Sequence, residues 1–247
     1  MLATKIISRF PAHHHYVEVC GGSLAILLAK PDSAAETVND ADGELVNFWR
    51  VLRDQPDDLI RMCLLTPHSR TEYYRALDAT PSDPLEAART TWVKLTQGSN
   101  RTTQKPTRTM WVKRLTTKSY PDTLEGKITR FSEVAQRLHH VSLDQRAAVE
   151  MVKMYGRQTS TLLYVDPPYP GRGDRYSHNM DMTEHEELIQ SLLATKSSVA
   201  VSGYPDTIYD DMLTGWERHQ IVSKARTGVT NLSPRTEILW VKHANRN

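Results

Sequence analysis

Residues 161–169 read TLLYVDPPY and carry the strongest structural signal in the sequence. The first five of these residues are almost continuously apolar, which is typical of a central parallel strand that is buried on both faces. The strand leads directly into Asp166, Pro167, Pro168 and Tyr169. Because ligands of open α/β sheets bind beyond the carboxyl ends of the strands, these four residues are predicted to lie at a functional site.

Strands and helices alternate on both sides of this stretch. The apolar patterns predict strands at residues 15–19, 35–39, 141–143, 161–165, 198–202, 216–222 and 237–242. Helices are predicted between them, among them residues 23–30, 42–53 and 124–138. Such alternation predicts an α/β fold with a Rossmann-like, doubly wound sheet and right-handed crossovers.

The composition of the 247 residues excludes several classes of protein. No apolar run approaches the roughly 18 residues that a membrane span needs. The first ten residues show no secretory signal, so we expect a cytoplasmic protein. The two cysteines, Cys20 and Cys63, provide neither a disulfide framework nor a pair spaced for zinc, and no metal is expected.

The basic residues are concentrated in one segment, although the formal net charge is only +2. Residues 87–121, here called the basic strip, contain no acidic residue and eight cations: Arg89, Lys94, Arg101, Lys105, Arg108, Lys113, Arg114 and Lys118. Trp92 and Trp111 lie among them and offer faces on which bases can stack. The strip predicts nucleic acid as the partner, with an ordinary solvated basic face as the alternative.

The turn after the central strand has an unusual acceptor chemistry. Prolines fix φ and provide carbonyl acceptors without an N–H donor, so the Asp166 carboxylate and a neighbouring carbonyl can face one point. Two convergent acceptors suit an amino group such as that of adenine, whose lone pair they localise on nitrogen during alkylation. Tyr169 offers an aromatic face for a base taken out of its stack. The alternative is a proline-rich turn with an N-capping aspartate.

Two other strand ends suggest a cofactor that contains adenosine. Residues 20–23, CGGS, let the backbone pass close to a ligand at a helix N-terminus. Asp40 follows the second strand, where an acid can accept hydrogen bonds from ribose hydroxyls. A tight turn with a helix cap explains the same residues equally well.

Taken in order, five segments resemble the Dam-like adenine-specific DNA methyltransferases. They are residues 17–23 (VEVCGGS), 39–40 (ND), 43–50 (GELVNFWR), 166–169 (DPPY) and 235–237 (RTE). The resemblance implies a methyltransferase that transfers a methyl group from S-adenosylmethionine to the exocyclic amino group of a flipped adenine in DNA, at a specific sequence. Many members of this family are encoded by bacteria and phages, alone or beside a restriction enzyme.

The resemblance also implies roles for individual residues and for two parts of the chain. Residues 1–55 and 120–247 would form the cofactor-binding core, and residues 56–119 a helical, basic insert for DNA recognition. The catalytic residues would be Asp166, Pro167, Pro168 and Tyr169. Cofactor contacts are expected from Glu18, Cys20, Gly21, Gly22, Asp40 and Asp166. Contacts with double-stranded DNA are expected from Arg101, Lys105, Arg108, Lys113, Arg114 and Tyr176, in a monomer or weak dimer.

Three departures from the family pattern predict weaker cofactor contacts. Members usually open with a Gly-Gly-Lys or Gly-Ser-Lys segment, whereas this chain begins with Met1. The usual Phe-x-Gly-x-Gly loop lacks its phenylalanine and its last glycine. The acid expected after the third strand is replaced by Ala147 and Ala148. Either catalysis is reduced or the natural start lies upstream of Met1.

Other functions were weighed against this interpretation. Methylation of cytosine C5 requires a cysteine nucleophile, usually after proline, and neither cysteine fits. Dehydrogenases share the opening β-α-β unit but have no use for the turn at 166–169. Two alternatives stay open: an amino-methyltransferase acting on RNA or protein, and a catalytically weakened or truncated relative that binds DNA without methylating it efficiently.

Overall fold

The computed structural model describes residues 2–99, 107–113, 119–169, 180–205, 207–227 and 231–244. The helices of these residues are α1 Leu2–Ile7, α2 Gly43–Asp54, α3 Pro56–Leu65, α4 Arg70–Asp78, α5 Pro84–Gln97, α6 Tyr120–Ile128, α7 Phe131–Leu138, α8 Ala148–Tyr155, α9 Met182–Leu193 and α10 Thr207–Met212. The strands are β1 His15–Glu18, β2 Ala35–Asn39, β3 Ser142–Asp144, β4 Thr161–Val165, β5 Ser198–Gly203, β6 Glu217–Thr227 and β7 Asn231–Lys242.

The seven strands form one sheet in the order β3-β2-β1-β4-β5-β7-β6. Strands β1 to β5 run parallel to one another, and β7 runs antiparallel between β5 and β6. The predicted fold class, a Rossmann-like α/β sheet, is confirmed. The chain builds outward from β1 to β3 and then returns to place β4 on the other side of β1, so the strand order reverses between β1 and β4.

The two faces of the central strands are covered by different elements. On one face, Val17 and Leu163 belong to a buried core that includes Leu188 of α9 and Tyr209 of α10. On the other face, Phe10 packs against the ring of Tyr16, at 5.9 Å between centroids, and of Tyr164, at 5.5 Å. All five residues of β4 are buried, as the continuous apolar run predicted.

The described residues divide into two compact units. The sheet unit contains the described residues within 2–41, 142–169 and 180–244, and the helical unit contains those within 42–141. The helical unit includes the expected insert, residues 56–119, and also α2, α6 and α7 on either side of it. Its core is formed by α2, α3, α4 and α5 together with α6 and α7. The assignment of separate roles to core and insert stays a prediction.

Two predicted helices differ from the structure. Residues 23–30 form consecutive turns instead of a helix, because Gly22 and Leu24 have φ angles of +49° and +53°, which a right-handed helix does not accommodate. The helix predicted at 124–138 is two helices, α6 and α7. The Thr129 hydroxyl, at the break, donates to the Gly126 carbonyl, an alternative to the helical ladder.

Within the described part of the chain, no helix is both long and apolar enough to cross a membrane.

Candidate active site

The candidate site lies in the sheet unit, at the edge where β1 and β4 both end. Because these strands are parallel, the turns that follow them leave the sheet side by side. The Val19 amide donates to the Tyr164 carbonyl at 2.9 Å, which continues the pairing one residue beyond β1. The glycine loop, residues 20–24, and the turn at 166–169 therefore begin next to each other at the reversal of strand order.

The glycine loop is held against the end of β2. The Gly21 amide donates to the Asn39 carbonyl at 2.7 Å, and the Gly22 amide donates to Asp40 Oδ2, also at 2.7 Å. A Cβ atom at Gly21 would lie 2.8 Å from Leu24 Cδ2 and 3.1 Å from the Asn39 carbonyl oxygen. A Cβ atom at Gly22 would meet nothing within 4 Å, so this glycine borders open space.

Asn39 ties three strand ends together, a role that the sequence analysis did not assign. Its Nδ2 donates to the carbonyls of Val19, at 2.8 Å, and Arg146, at 3.0 Å. Its Oδ1 accepts from the Arg146 amide at 2.8 Å. The side chain is 2% exposed. The sequence signal that pointed to this position was its place in the family-like segment ND at 39–40, directly after a predicted strand.

Glu18 is buried beneath the glycine loop. Its Oε2 accepts hydrogen bonds from the Tyr16 hydroxyl, at 2.8 Å, and from the Leu27 amide, at 3.1 Å. Burial raises the pKa of Glu18 from its usual 4.5 to about 8, although both hydrogen bonds oppose the increase. Glu18 thus braces the segment after the glycine loop, and its predicted contact with a cofactor stays a prediction.

The raised pKa of Glu18 predicts that stability decreases as the pH rises. An acid whose pKa is higher in the folded state stabilises the fold below its unfolded pKa, and this contribution is lost as the pH rises through the folded pKa of about 8. Between pH 5 and 8 we expect the free energy of unfolding to fall by up to about 1.4 kcal/mol per pH unit. Urea unfolding at several pH values measures this dependence.

The variant Glu18→Gln should lose most of this dependence, because glutamine does not titrate. Glu186→Gln is the matched control, since Glu186 is an exposed residue of α9. A Glu18→Gln protein whose stability follows the same pH curve as the wild type would show that Glu18 is not the group responsible.

The turn after β4 presents its carboxylate to solvent. Asp166 is exposed, although it directly follows a fully buried strand, whereas Pro167 is buried and Pro168 and Tyr169 are half-buried. The Tyr169 hydroxyl donates to Asp166 Oδ1 at 2.7 Å and lies 3.0 Å from Glu237 Oε1. Burial and the two carboxylates raise the pKa of Tyr169, so the phenol keeps its hydrogen at neutral pH.

Cys20 lies among the carboxylates of these turns. Burial, followed by the charges of Asp40, Asp166 and Glu18, raises the pKa of the Cys20 thiol well above its usual value. A thiol in such surroundings stays protonated and is a poor nucleophile. Asp40 and Asp166 belong to separate turns, and the charges of both contribute to the raised pKa of Cys20. No group of three or more His, Cys, Asp or Glu among the described residues is arranged to hold a metal ion.

The comparison with protein families agrees with the chemistry of these turns. The family model of the D12 class N6 adenine-specific DNA methyltransferases matches residues 1–209. The chain belongs to this family. No curated protein sequence matches it significantly. Among solved structures, it is similar to the rRNA methyltransferase AviRa from Streptomyces viridochromogenes, with 15% identity, a TM-score of 0.41 and coverage of 98% of this chain and 84% of that one.

The third strand ends on an acid at a different position from the one expected. The resemblance placed this acid at 147–148, where the chain has alanines. In the structure β3 ends at Asp144, three residues earlier. Asp144 Oδ1 accepts from the Gln145 amide at 2.8 Å, and its Oδ2 pairs with Arg146 Nε at 3.2 Å. An acid thus ends β3 at the same sheet edge as Asp40.

Two cations of the basic strip form ion pairs with acidic residues of the helical unit that lie outside the strip. Arg89 pairs with Glu72 at 2.6 Å and with Glu86 at 2.5 Å, and Lys94 pairs with Glu44 at 3.0 Å. These two cations hold helices together and are not open to a phosphate. Trp92, predicted as a stacking surface, is 3% exposed in the core of this unit, so that prediction is wrong.

Two of the residues expected to contact DNA lie within the described part of the helical unit. Lys113 is exposed. The side chain of Arg108 is 60% exposed, pairs with Asp78 at 2.5 Å and lies 5.1 Å from the Tyr74 ring centre. Trp111, half-buried, stacks on His68 at 4.8 Å. Arg101, Lys105, Arg114 and Tyr176 lie outside the described residues.

Proposed function

We propose that this D12 class methyltransferase transfers the methyl group of S-adenosylmethionine to the exocyclic amino group of an adenine that has been extruded from double-stranded DNA, within a specific sequence. The observation that carries the proposal is the exposed Asp166 carboxylate, at the carboxyl end of a buried strand and beside the glycine loop. The family accounts for methyl transfer and for adenine in DNA as the target.

The residues at the ends of β1, β2 and β3 suit the proposed cofactor. Gly22 borders open space, so a ligand can approach the backbone there. Asp40 is proposed to accept hydrogen bonds from the ribose hydroxyls, since it follows β2 beside the glycine loop and its carboxylate oxygens can each accept more than one hydrogen bond. Asp144 is proposed to accept from the cofactor's adenine. When bound, S-adenosylmethionine supplies an electrophilic methyl group on its sulfonium centre.

The proposed role of the turn at 166–169 is to prepare the amino nitrogen for attack. The Asp166 carboxylate and the Pro167 carbonyl would accept its two hydrogens, which turns the nitrogen lone pair away from the ring and towards the methyl group. Tyr169 would hold the face of the base. Direct transfer would form the nitrogen–carbon bond as the methyl–sulfur bond breaks, with the neutral thioether as the leaving group, and the surplus amino proton would pass through the exposed Asp166 carboxylate to water. No covalent enzyme intermediate is then needed, and alignment and exclusion of water lower the barrier.

Identifying the molecule that accepts the methyl group tests the proposal. The protein is incubated with methyl-tritiated S-adenosylmethionine and, in separate reactions, duplex DNA, structured RNA or a mixture of proteins. We expect label in duplex DNA alone. Label in RNA or protein would support the other amino-methyltransferases, and DNA binding without label would support a weakened relative that only binds.

We also propose that the protein acts in the cytoplasm as a monomer or weak dimer, which fits the proposed duplex substrate.

The cations of the basic strip other than Arg89 and Lys94 are proposed to contact DNA phosphates. Such contacts predict that the affinity for duplex DNA decreases as the salt concentration rises. The variant in which Lys105, Arg108 and Lys113 are all alanine should bind duplex DNA with a shallower slope of log K against log salt concentration. The slope should fall by about 0.9 for each phosphate that the variant no longer neutralises. Fluorescence anisotropy between 50 and 200 mM salt, roughly the range over which such binding changes most, measures the slope.

Lys153→Ala is the matched control for charge, since Lys153 is exposed on α8 in the sheet unit. It should leave the slope unchanged. An unchanged slope in the triple variant would contradict the role of the basic strip.

A further inference from the structure

Glu237 reaches the candidate active site from β7, beyond residues 1–209 that match the family model. In the pairing of β5 with β7, Gly203 lies opposite Ile238, so Glu237 extends one residue past the carboxyl end of β5. Its Oε1 lies 3.0 Å from the Tyr169 hydroxyl oxygen, which is 2.7 Å from Asp166 Oδ1. A single phenolic hydrogen therefore lies between two carboxylates.

Glu237 is a buried carboxylate whose loss of hydration is only partly compensated by hydrogen bonds. The residue is 4% exposed, and its Oε2 is buried without a hydrogen-bond partner. Within the described part of the chain, no basic side chain forms an ion pair with it. A buried acid with one bonded oxygen destabilises a fold, and proteins retain such groups mainly where function requires them. Glu237 is therefore a candidate for a role in the reaction.

The phenolic hydrogen of Tyr169 can form a good hydrogen bond to only one of the two carboxylates at a time. When it points to Asp166, it occupies a lone pair of that group and weakens it as an acceptor. When it points to Glu237, Asp166 Oδ1 is released from this bond. The raised pKa of Tyr169 keeps the hydrogen on the phenol in either case.

We propose that Glu237 is a positioning residue that draws the Tyr169 hydroxyl hydrogen away from Asp166, so that Asp166 Oδ1 is a stronger acceptor for the substrate amino group. This inference rests on the proposed role of Asp166 in methyl transfer. Glu237 touches neither the reacting nitrogen nor the methyl group in this account, and it acts through Tyr169 alone.

The charged and titratable groups around Asp166 support this direction. Glu18 and Cys20 face Asp166 from β1 and its loop, and Tyr164 faces it from β4. Tyr169 bonds it directly, with Glu237 behind, from β7. Among these groups, Glu237 is the one whose carboxylate competes with Asp166 for the hydrogen bond donated by the Tyr169 hydroxyl.

The test measures Asp166 itself, without substrate. The full chain is labelled with ¹³C at the aspartate carboxyl carbons, and the Asp166 NMR signal is identified as the one missing from the Asp166→Asn variant. The chemical shift of this signal is then followed against pH. In Glu237→Gln we expect the pKa of Asp166 to fall by at least about half a pH unit, because a negative charge is removed and the phenolic hydrogen stays on Asp166. Glu217→Gln, an exposed residue of β6, is the control and should change nothing.

Kinetics then separate positioning from a merely structural role. Glu237→Gln should lower kcat about tenfold with KM values for DNA and cofactor within about threefold of the wild type. In a Tyr169→Phe background, where no hydroxyl exists, the same substitution should change kcat by less than about twofold.

Three results decide the matter. An Asp166 titration that is the same in Glu237→Gln and in the wild type would overturn the inference, whether or not the protein methylates DNA. Equal losses of kcat in the two Tyr169 backgrounds would also overturn it. A third result is possible: the Asp166 pKa falls in Glu237→Gln as expected, but the wild-type protein transfers no methyl group. This result would support the coupling of the three side chains and would contradict the proposed function instead.

Discussion

The Asp166→Ala variant is expected to lose methyl transfer almost completely while it still binds DNA. Asp166 is proposed to stabilise the positive charge that develops on the amino nitrogen, and loss of one preorganised group of this kind typically lowers kcat by about 10²- to 10³-fold. Affinity for duplex DNA should stay within about threefold, because phosphate contacts supply most of it. Single-turnover incorporation of tritium measures the chemical step.

Asp211→Ala is the matched control, since Asp211 is an exposed acid of α10 in the same unit. It should transfer methyl groups at the wild-type rate. An Asp166→Ala protein that retains more than about a tenth of the wild-type kcat would contradict the assigned role.

Gly21→Val is expected to have the second largest effect, on cofactor binding. The added Cβ would lie 2.8 Å from Leu24 Cδ2 and 3.1 Å from the Asn39 carbonyl oxygen. Leu24 is 1% exposed and Asn39 is held by three hydrogen bonds of its side chain, so the glycine loop must move. We expect the Kd for S-adenosylmethionine to rise at least about tenfold, with a loss of stability of about 1–3 kcal/mol.

Isothermal titration calorimetry measures the cofactor affinity, and urea unfolding measures the stability. Gly126→Val is the matched control, because a Cβ atom at Gly126, in α6 of the helical unit, would meet no neighbour within 4 Å. Unchanged binding by the Gly21→Val protein would show that the glycine loop does not hold the cofactor.

The parts of the fold that follow from local patterns were predictable. The apolar run of β4 and the alternation of strands with helices located the five parallel strands to within one residue at each end, since a buried parallel strand needs apolar residues on both faces. The two antiparallel strands were predicted too short: β6, predicted at 216–222, continues to Thr227, and β7, predicted at 237–242, begins at Asn231. The helix predicted at 23–30 was wrong because helical spacing of apolar residues does not reveal a positive φ at a leucine. Leu24 adopts this conformation in a tightly bonded loop.

Contacts between residues far apart in sequence limited what could be predicted about the site. The acids that neutralise Arg89 and Lys94 come from α4, α5 and α2, so a count of charges within the strip overstated its capacity for DNA. Glu237 lies far beyond Asp166 in the chain and meets Tyr169 only because β7 pairs with β5. The turn at 166–169 itself was predictable, because its chemistry is contained in four consecutive residues.

The strongest test of the proposed role of Asp166 is a crystal structure with duplex DNA and an unreactive analogue of S-adenosylmethionine. We expect one adenine outside the helix, with its amino nitrogen within hydrogen-bond distance, about 2.9 Å, of an Asp166 carboxylate oxygen. An enzyme bound to its recognition sequence with every adenine stacked in the duplex, or with a different residue at the amino nitrogen, would contradict it.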